Sequence, residues 1–537
     1  MNPRTALQAF AVGSVMALAT LAPTAAGMNA PPPPNACNDT PIATAIAGKQ
    51  PGALLAAPED ITNASGLAPG VGRLYRIAYA TTGEAGTTVA SCGLVAVPAG
   101  STAVKGVVAW AHGTVGLTEE CQAGQDPRRF VGPMPGGIGA VAKKGTQQDG
   151  ALVGMLRNGY AVVATDYPSA GMGSTQLQSY VLGVAEGLAV IDSARALTQS
   201  ADAFGLAPVA SDARLPLVTW GHSQGGGSAL WAGQLARQYL ASKSDRTLNL
   251  AGVAAEAPAT QFTTSPGQPD AFMGKHLGDR DMYNFEPGLG VPIPIGVVLF
   301  SYVTVSWSQV TNGTAGEFPV GPTTKVDYRD VLTRSGDATG PDVAQCCLDK
   351  AGLPTIYKKT LGYLDPMVKR FFAAPFAGRR VGLKWQGGID DTCATSDRQA
   401  PAVRDWCRWL QWNMPGPYGV NPYPKFPIDD AGDTVPMYLA QGRNDKIIWC
   451  VDDSGSVQGA NCLTAQYTRS IADEYCDGTN YLEVDYFPGV SHLGVPAAAA
   501  TNRSTNAFAG SPLDRFVQGA ISGTLGSKCS VDADARS

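Results

Sequence analysis

The chain has 537 residues, a formal charge of −5, 15% charged and 44% hydrophobic residues, and a mean hydropathy of −0.03. That length exceeds one ordinary domain and leaves room for a large core carrying an insertion. An acidic balance without a basic cluster argues against nucleic acid or an anionic membrane surface as the main partner.

Arg4, the apolar stretch Ala6 to Leu21 and the small residues Pro23-Thr24-Ala25-Ala26 read as an export signal cleaved after Ala26. The stretch is short for a membrane span and a proline follows it, so no transmembrane anchor is expected. Cys37 lacks the apolar residue that a lipid-anchored cysteine needs before it, which leaves an exported, soluble chain as the expectation. Residues 27–50, with four prolines at 31 to 34, read as an extended entry segment. All eleven cysteines follow the leader, and in an oxidising compartment most should pair, with one left over. Cys450, Cys462 and Cys476 are close enough for local bridges, and Cys393 with Cys407 is a further candidate pair. There is no Cys-x-x-Cys, and His112, His222, His276 and His492 show no ligand spacing, so neither metal nor cofactor is expected.

Arg73 to Ala80 and Thr88 to Val97 read as an antiparallel hairpin that starts a sheet, with the turn at 82–86. Val107 to Ala111 is a buried strand running into His112-Gly113-Thr114. A helix ending near Asn158-Gly159 leads to the strand Tyr160 to Thr165. A second helix, about Leu177 to Leu197, carries Val184, Leu188, Ile191 and Ala194 on one face. The strand Leu215 to Trp220 then runs into Gly221-His222-Ser223-Gln224-Gly225-Gly226, and Ser228 to Leu240 has near-helical apolar spacing at Leu230, Trp231, Leu235 and Tyr239. Leu250 to Ala255 is the next strand. Alternation of this kind implies an α/β fold, a mostly parallel sheet with helices on both faces. From about Thr260 to Asp433 the alternation breaks down into a stretch rich in Pro, Gly and aromatics. Within it Gly288 to Gly316 holds no charged residue, and Val291 to Val305 is strongly apolar. The sheet resumes at Val435 to Gln441, followed by Gly442-x-x-Asp445, a helix over about Thr464 to Tyr475, the strand Tyr481 to Phe487, the loop bearing His492, and a closing helix over Pro512 to Ile521. The expected organisation is therefore a core in two parts, 51–260 and 434–537, interrupted by an insertion over 261–433.

Gly221-x-Ser223-x-Gly225 between a strand and a helix is the context in which a strained turn lifts a serine hydroxyl above a sheet edge. A serine hydroxyl is a weak nucleophile at neutral pH and needs a histidine to take its proton and a carboxylate to hold that histidine. His492, in a glycine-bounded loop straight after the last strand, suits the base; His276 falls in the insertion without a strand before it. Asp445, just beyond a strand end, suits the acid. Asp452 and Asp453 are rivals a few residues on, while Asp430 and Asp433 precede the strand at its wrong end. The oxyanion donors expected are the backbone N–H groups of Gln224, next to the nucleophile, and of Thr114, in the loop after Ala111. His112 is expected to brace that loop and His222 to pack beside the elbow.

WAHGTVG (Trp110 to Gly116), TDYPSAGMG (Thr165 to Gly173), GHSQGG, GVAAEAPAT (Gly252 to Thr260), GRNDKII and GVSHLG together resemble the secretory lipase family of α/β-hydrolases, from about residue 50 to the C-terminus. The resemblance implies an α/β-hydrolase fold with a mainly helical cap over 261–433, a triad of Ser223, Asp445 and His492, and hydrolysis of acyl esters including triacylglycerols. The cap section does not follow the family pattern. The apolar run Val291 to Val305 is a candidate contact for acyl chains. The alternatives are a polyesterase, a short-chain esterase or an acyltransferase on the same triad, or an inactive binding protein on the same scaffold.

Overall fold

The computed structural model describes residues 36–38, 42–84, 86–132, 150–168, 177–262, 295–310, 312–322, 347–348, 401–445, 447–448, 467–468, 475–476 and 478–531, all within the unit spanning 35–537. The alternating segments form the strands β1 (Glu59–Asp60), β2 (Gly72–Thr82), β3 (Thr88–Pro98), β4 (Val107–Ala111), β5 (Ala161–Thr165), β6 (Leu215–His222), β7 (Leu248–Glu256), β8 (Met437–Gly442), β9 (Tyr481–Phe487) and β10 (Lys528–Val531). Helix α1 (Ala151–Arg157) precedes β5, and α2 (Gly183–Gln199) and α3 (Gln224–Ser242) flank β6. Helices α4 (Ile295–Ser308) and α5 (Pro401–Trp412) lie between β7 and β8 in the chain, and α6 (Pro512–Ser522) precedes β10.

Among the described residues one ten-stranded sheet results, in the order β1-β2-β3-β5-β4-β6-β7-β8-β9-β10. The hairpin of β2 and β3 is antiparallel over its whole length, and β3 also runs antiparallel to β5. From β5 through β10 every pairing is parallel. Parallel strands must be covered on both faces, and β4 shows how the sequence does this. Val107, Ala109 and Ala111 join the apolar cluster of α2 and α3, whereas Val108 and Trp110 join that of α1 and α6. Trp110 and Trp220, paired in register on β4 and β6, meet with ring centroids 4.2 Å apart on the α1/α6 face.

The hairpin is not the edge of the sheet, because β1 pairs antiparallel outside β2. Helix α2 begins at Gly183 rather than near Leu177. Residues 177–182 instead follow a path tied to α4: Ser306 Oγ accepts from the Tyr180 amide at 2.8 Å, and the Trp307 indole donates to the Tyr180 carbonyl at 3.0 Å. Val181 has φ 56°, which no right-handed helix tolerates. The short β10 beside β9 escaped the sequence pattern altogether.

Disulfides join Cys37 to Cys92, Cys121 to Cys347, and Cys476 to Cys529. The local bridge expected for Cys476 is thereby corrected. The parallel pairing of β10 with β9 carries Cys529 to it, a long-range consequence of a strand that composition did not reveal. Cys407 is also disulfide-bonded. Neighbouring parallel strands β7 and β8 are separated in the chain by residues 257–436, so that stretch is an insertion between adjacent strands. Its described part includes α4 and α5, which meet where Trp307 stacks on Trp406 at 5.8 Å. The leader over 1–26, Pro31 to Pro34, His276, Cys393, Cys450, Cys462, Asp452, Asp453 and most of the stretch Thr464 to Tyr475 lie outside the described residues. No helix among the described residues is long and apolar enough to cross a membrane.

Candidate active site

Ser223 joins β6 to α3 with φ 60° and ψ −122°, a backbone conformation rare for a residue with a side chain. Three backbone hydrogen bonds hold it there. Its amide donates to the Glu256 carbonyl at 2.9 Å, and its carbonyl accepts from Ala259 at 2.9 Å and from Gly227 at 3.1 Å. The flanking glycines are steric requirements. A Cβ on Gly221 would overlap the Gly225 carbonyl, and one on Gly225 would overlap the Ala111 carbonyl, both backbone atoms that cannot step aside. Gly225→Ala should therefore destabilise the fold by about 3 kcal/mol or more. Thermal unfolding by circular dichroism checks this, and a melting temperature equal to that of the parent would contradict it.

The carboxyl ends of β8 and β9 supply the other two groups. Asp445 lies in the turn after β8 and His492 opens a short 3-10 turn after β9. His492 Nε2 is 2.8 Å from Ser223 Oγ, and its Nδ1 is 2.7 Å from Asp445 Oδ2. All three side chains are buried. Asp445 is itself over-determined: Oδ1 accepts from the amides of Ile447 and Ile448 at 2.8 and 2.9 Å, and Oδ2 also accepts from Gln441 Nε2 at 2.7 Å. With Oδ2 facing Nδ1, that nitrogen carries the proton, leaving Nε2 free to accept from the serine.

The segments that carry the two expected oxyanion donors lie close together. Gln224 is the first residue of α3, directly after Ser223. The loop after β4 runs so close to the elbow that a Cβ on Gly113 would lie 3.3 Å from both Ser223 Cβ and His222 Nδ1. Among the described residues neither the Thr114 nor the Gln224 amide meets an acceptor. The Thr114 hydroxyl is not turned to the site alone; it pairs with the Tyr180 hydroxyl at 2.8 Å. His112 and His222 take the supporting places expected of them. His112 Nδ1 contacts the Gly113 carbonyl at 2.7 Å, and burial pushes the ring down to about 4, so it is neutral. His222 Nε2 meets the His492 carbonyl at 3.0 Å, and burial, with His492 beside it, holds it well below the usual imidazole range.

Two buried carboxyls close to the elbow were not anticipated. Glu186 on α2 accepts from Gln224 Nε2, Ser228 Oγ and the Val181 amide at 2.6, 2.7 and 2.7 Å. A charged residue, one of three with Asp192 and Arg195, on a helix buried along almost its whole length was its only signal. Glu256 ends β7 fully buried beside the Trp220 indole, and burial pushes it up to about 8. A carboxyl raised in the folded state holds its proton there after the unfolded chain has lost it. Its contribution is complete at pH below its ordinary value of 4.5 and is lost as pH rises through about 8. Glu256→Gln should therefore flatten the fall in melting temperature between those limits. A variant whose stability declines with pH as steeply as the parent's would refute this.

Residues 141–270 match the family model described as secretory lipase, a stretch that includes Ser223 and Gln224 and ends before Asp445 and His492. Over that stretch the chain is similar to the secretory lipase family. Among solved structures, Candida antarctica lipase A in its closed state aligns at 15% identity and a TM-score of 0.51, covering 92% of this chain and 87% of that one. A second structure of the same lipase gives 16% identity and a TM-score of 0.51, with 91% and 85% covered. A variant of the rice cell wall degrading esterase LipA from Xanthomonas oryzae gives 16% identity, a TM-score of 0.49, and 88% and 97% covered. At such identity the two lipase A structures speak for the α/β-hydrolase fold. No curated protein sequence matches the chain.

Proposed function

We propose that the chain is an exported serine ester hydrolase acting on acyl esters, triacylglycerols included, through an acyl-enzyme. The observation that carries this reading is the continuous contact from Asp445 Oδ2 through the His492 ring to Ser223 Oγ, with both separations under 3 Å. Ser223 attacks the ester carbonyl while His492 Nε2 takes its proton. The Thr114 and Gln224 amides receive the negative charge of the tetrahedral intermediate, where preorganised donors are each worth about 10²–10³ in turnover. His492 then returns the proton to the leaving alcohol, and a water molecule repeats the sequence to free the acid. Asp445 keeps the imidazole in the required tautomer and stabilises its charged form.

Residues 51–260 and 434–537 form the hydrolase core in this reading. Residues 261–433 are its cap, whose apolar segment Val291 to Val305 borders the acyl chain. The disulfides fit an oxidising compartment and so support export with a leader over 1–26. Neither metal nor organic cofactor enters the scheme. The test is hydrolysis of p-nitrophenyl esters from acetate to palmitate, with and without emulsified triglyceride, before and after a fluorophosphonate. Fluorophosphonate-sensitive release of fatty acid from the emulsion is the expected result. Activity confined to soluble short esters would make the protein an esterase rather than a lipase. No sensitive turnover at all would refute the reading.

A further inference from the structure

The loop 177–182 and the Glu186 carboxyl connect the two places where the oxyanion donors arise. On one side Glu186 Oε1 accepts from Gln224 Nε2 at 2.6 Å, and Oε2 accepts from Ser228 Oγ at 2.7 Å, one helical turn further along α3. On the other side Oε1 accepts from the Val181 amide at 2.7 Å. Val181 is β-branched and has φ 56°, a conformation that costs on the order of 1–3 kcal/mol and persists only where surrounding bonds impose it. That twist presents Tyr180, whose hydroxyl meets Thr114 Oγ1 at 2.8 Å. Helix α4 holds the same residue from above through Ser306 Oγ and the Trp307 indole.

We propose that Glu186 is a positioning residue for both oxyanion donors, setting Gln224 directly and Thr114 through Val181 and the Tyr180 hydroxyl. The proposal rests on the reading of Ser223 as nucleophile. Three donors converge on two oxygens, so the site is built for the ionised carboxylate. Burial raises Glu186 to about 7 while those donors act against the rise, and the three short bonds themselves carry the same message. An amide in its place must turn an NH2 toward one of the three donors, which moves either the start of α3 or the loop. Displacement by a few tenths of an ångström weakens hydrogen bonds to a developing charge more than it weakens contacts to the neutral ester.

The test compares Glu186→Gln and Tyr180→Phe with the parent enzyme on a soluble short-chain p-nitrophenyl ester. Inhibition by an alkyl boronic acid, whose tetrahedral adduct places an oxygen among the oxyanion donors, is measured in parallel. For Glu186→Gln, kcat should fall about tenfold to a hundredfold and boronate affinity by a similar factor, with KM within about twofold, below the loss expected when a donor is removed outright. Tyr180→Phe, which deletes one oxygen remote from the carboxylate, should shift the same two quantities together by a smaller factor, and it decides the matter if Glu186→Gln does not fold. A merely structural role would lower the melting temperature and leave kcat per folded molecule and boronate affinity unchanged; that result overturns the proposal. Ser223→Ala separates the two levels: full turnover in that variant removes the nucleophile reading and this proposal with it. An inactive Ser223→Ala beside a fully active Tyr180→Phe and Glu186→Gln removes only the proposal.

Discussion

Replacing Ser223 by alanine should lower ester turnover by on the order of 10⁶ while leaving the melting temperature within a few degrees of the parent. The two halves of that expectation have separate causes. Turnover falls because Ser223 Oγ, 2.8 Å from His492 Nε2, is the atom placed to attack a carbonyl. The fold survives because the elbow is held by backbone. The Ser223 amide bonded to Glu256, and its carbonyl bonded to Gly227 and Ala259, are all present in alanine, which also tolerates the same φ no worse than serine. What remains should be the modest rate that oriented binding and the oxyanion donors supply alone. Steady-state hydrolysis of a soluble ester together with a thermal melt reads both. Retained turnover would remove Ser223 from the mechanism.

The second large effect is expected for Asp445→Asn, a loss of about 10⁴ in kcat. The amide oxygen can still accept from the Ile447 and Ile448 amides, as Oδ1 does now. The NH2 group must then occupy the place of Oδ2, between Gln441 Nε2 and His492 Nδ1. It opposes one donor and offers a proton to a nitrogen that now carries its own. The imidazole responds by moving its proton to Nε2, where it can no longer accept from Ser223. Partial recovery above neutral pH is not expected, because the wrong tautomer rather than a wrong charge is responsible. Equal activity of parent and variant, measured across a range of pH, would show that a different carboxylate serves His492.

Much of this site was legible because its chemistry and its fold share a code. A serine between two glycines at a strand-to-helix turn carries its own steric reason, which the overlaps at Gly221 and Gly225 express in atoms. His492 and Asp445 could be chosen because each follows a strand, and parallel strands deliver their carboxyl ends to one edge of the sheet. The parts that were not legible depend on contacts between segments distant in sequence. The start of α2 reads as six residues earlier than it is, because Tyr180 and Val181 satisfy their backbone through Ser306, Trp307 and Glu186 instead of a helical turn. Glu186 has no pattern of its own in the sequence; the fold gives it its place by bringing Gln224 and Ser228 against it. Cys476 found Cys529 through β10, a strand of four residues too short to announce itself by pattern.

The central claim is that Ser223 carries the acyl group between two half-reactions. Rapid acid quench of the protein after mixing with excess p-nitrophenyl ester, followed by peptide mass measurement, tests it most directly. The account predicts an acyl adduct on the peptide bearing Ser223, formed in a burst no larger than one per active protein molecule. Steady turnover with that peptide unmodified, or with the acyl group on another side chain, would contradict it.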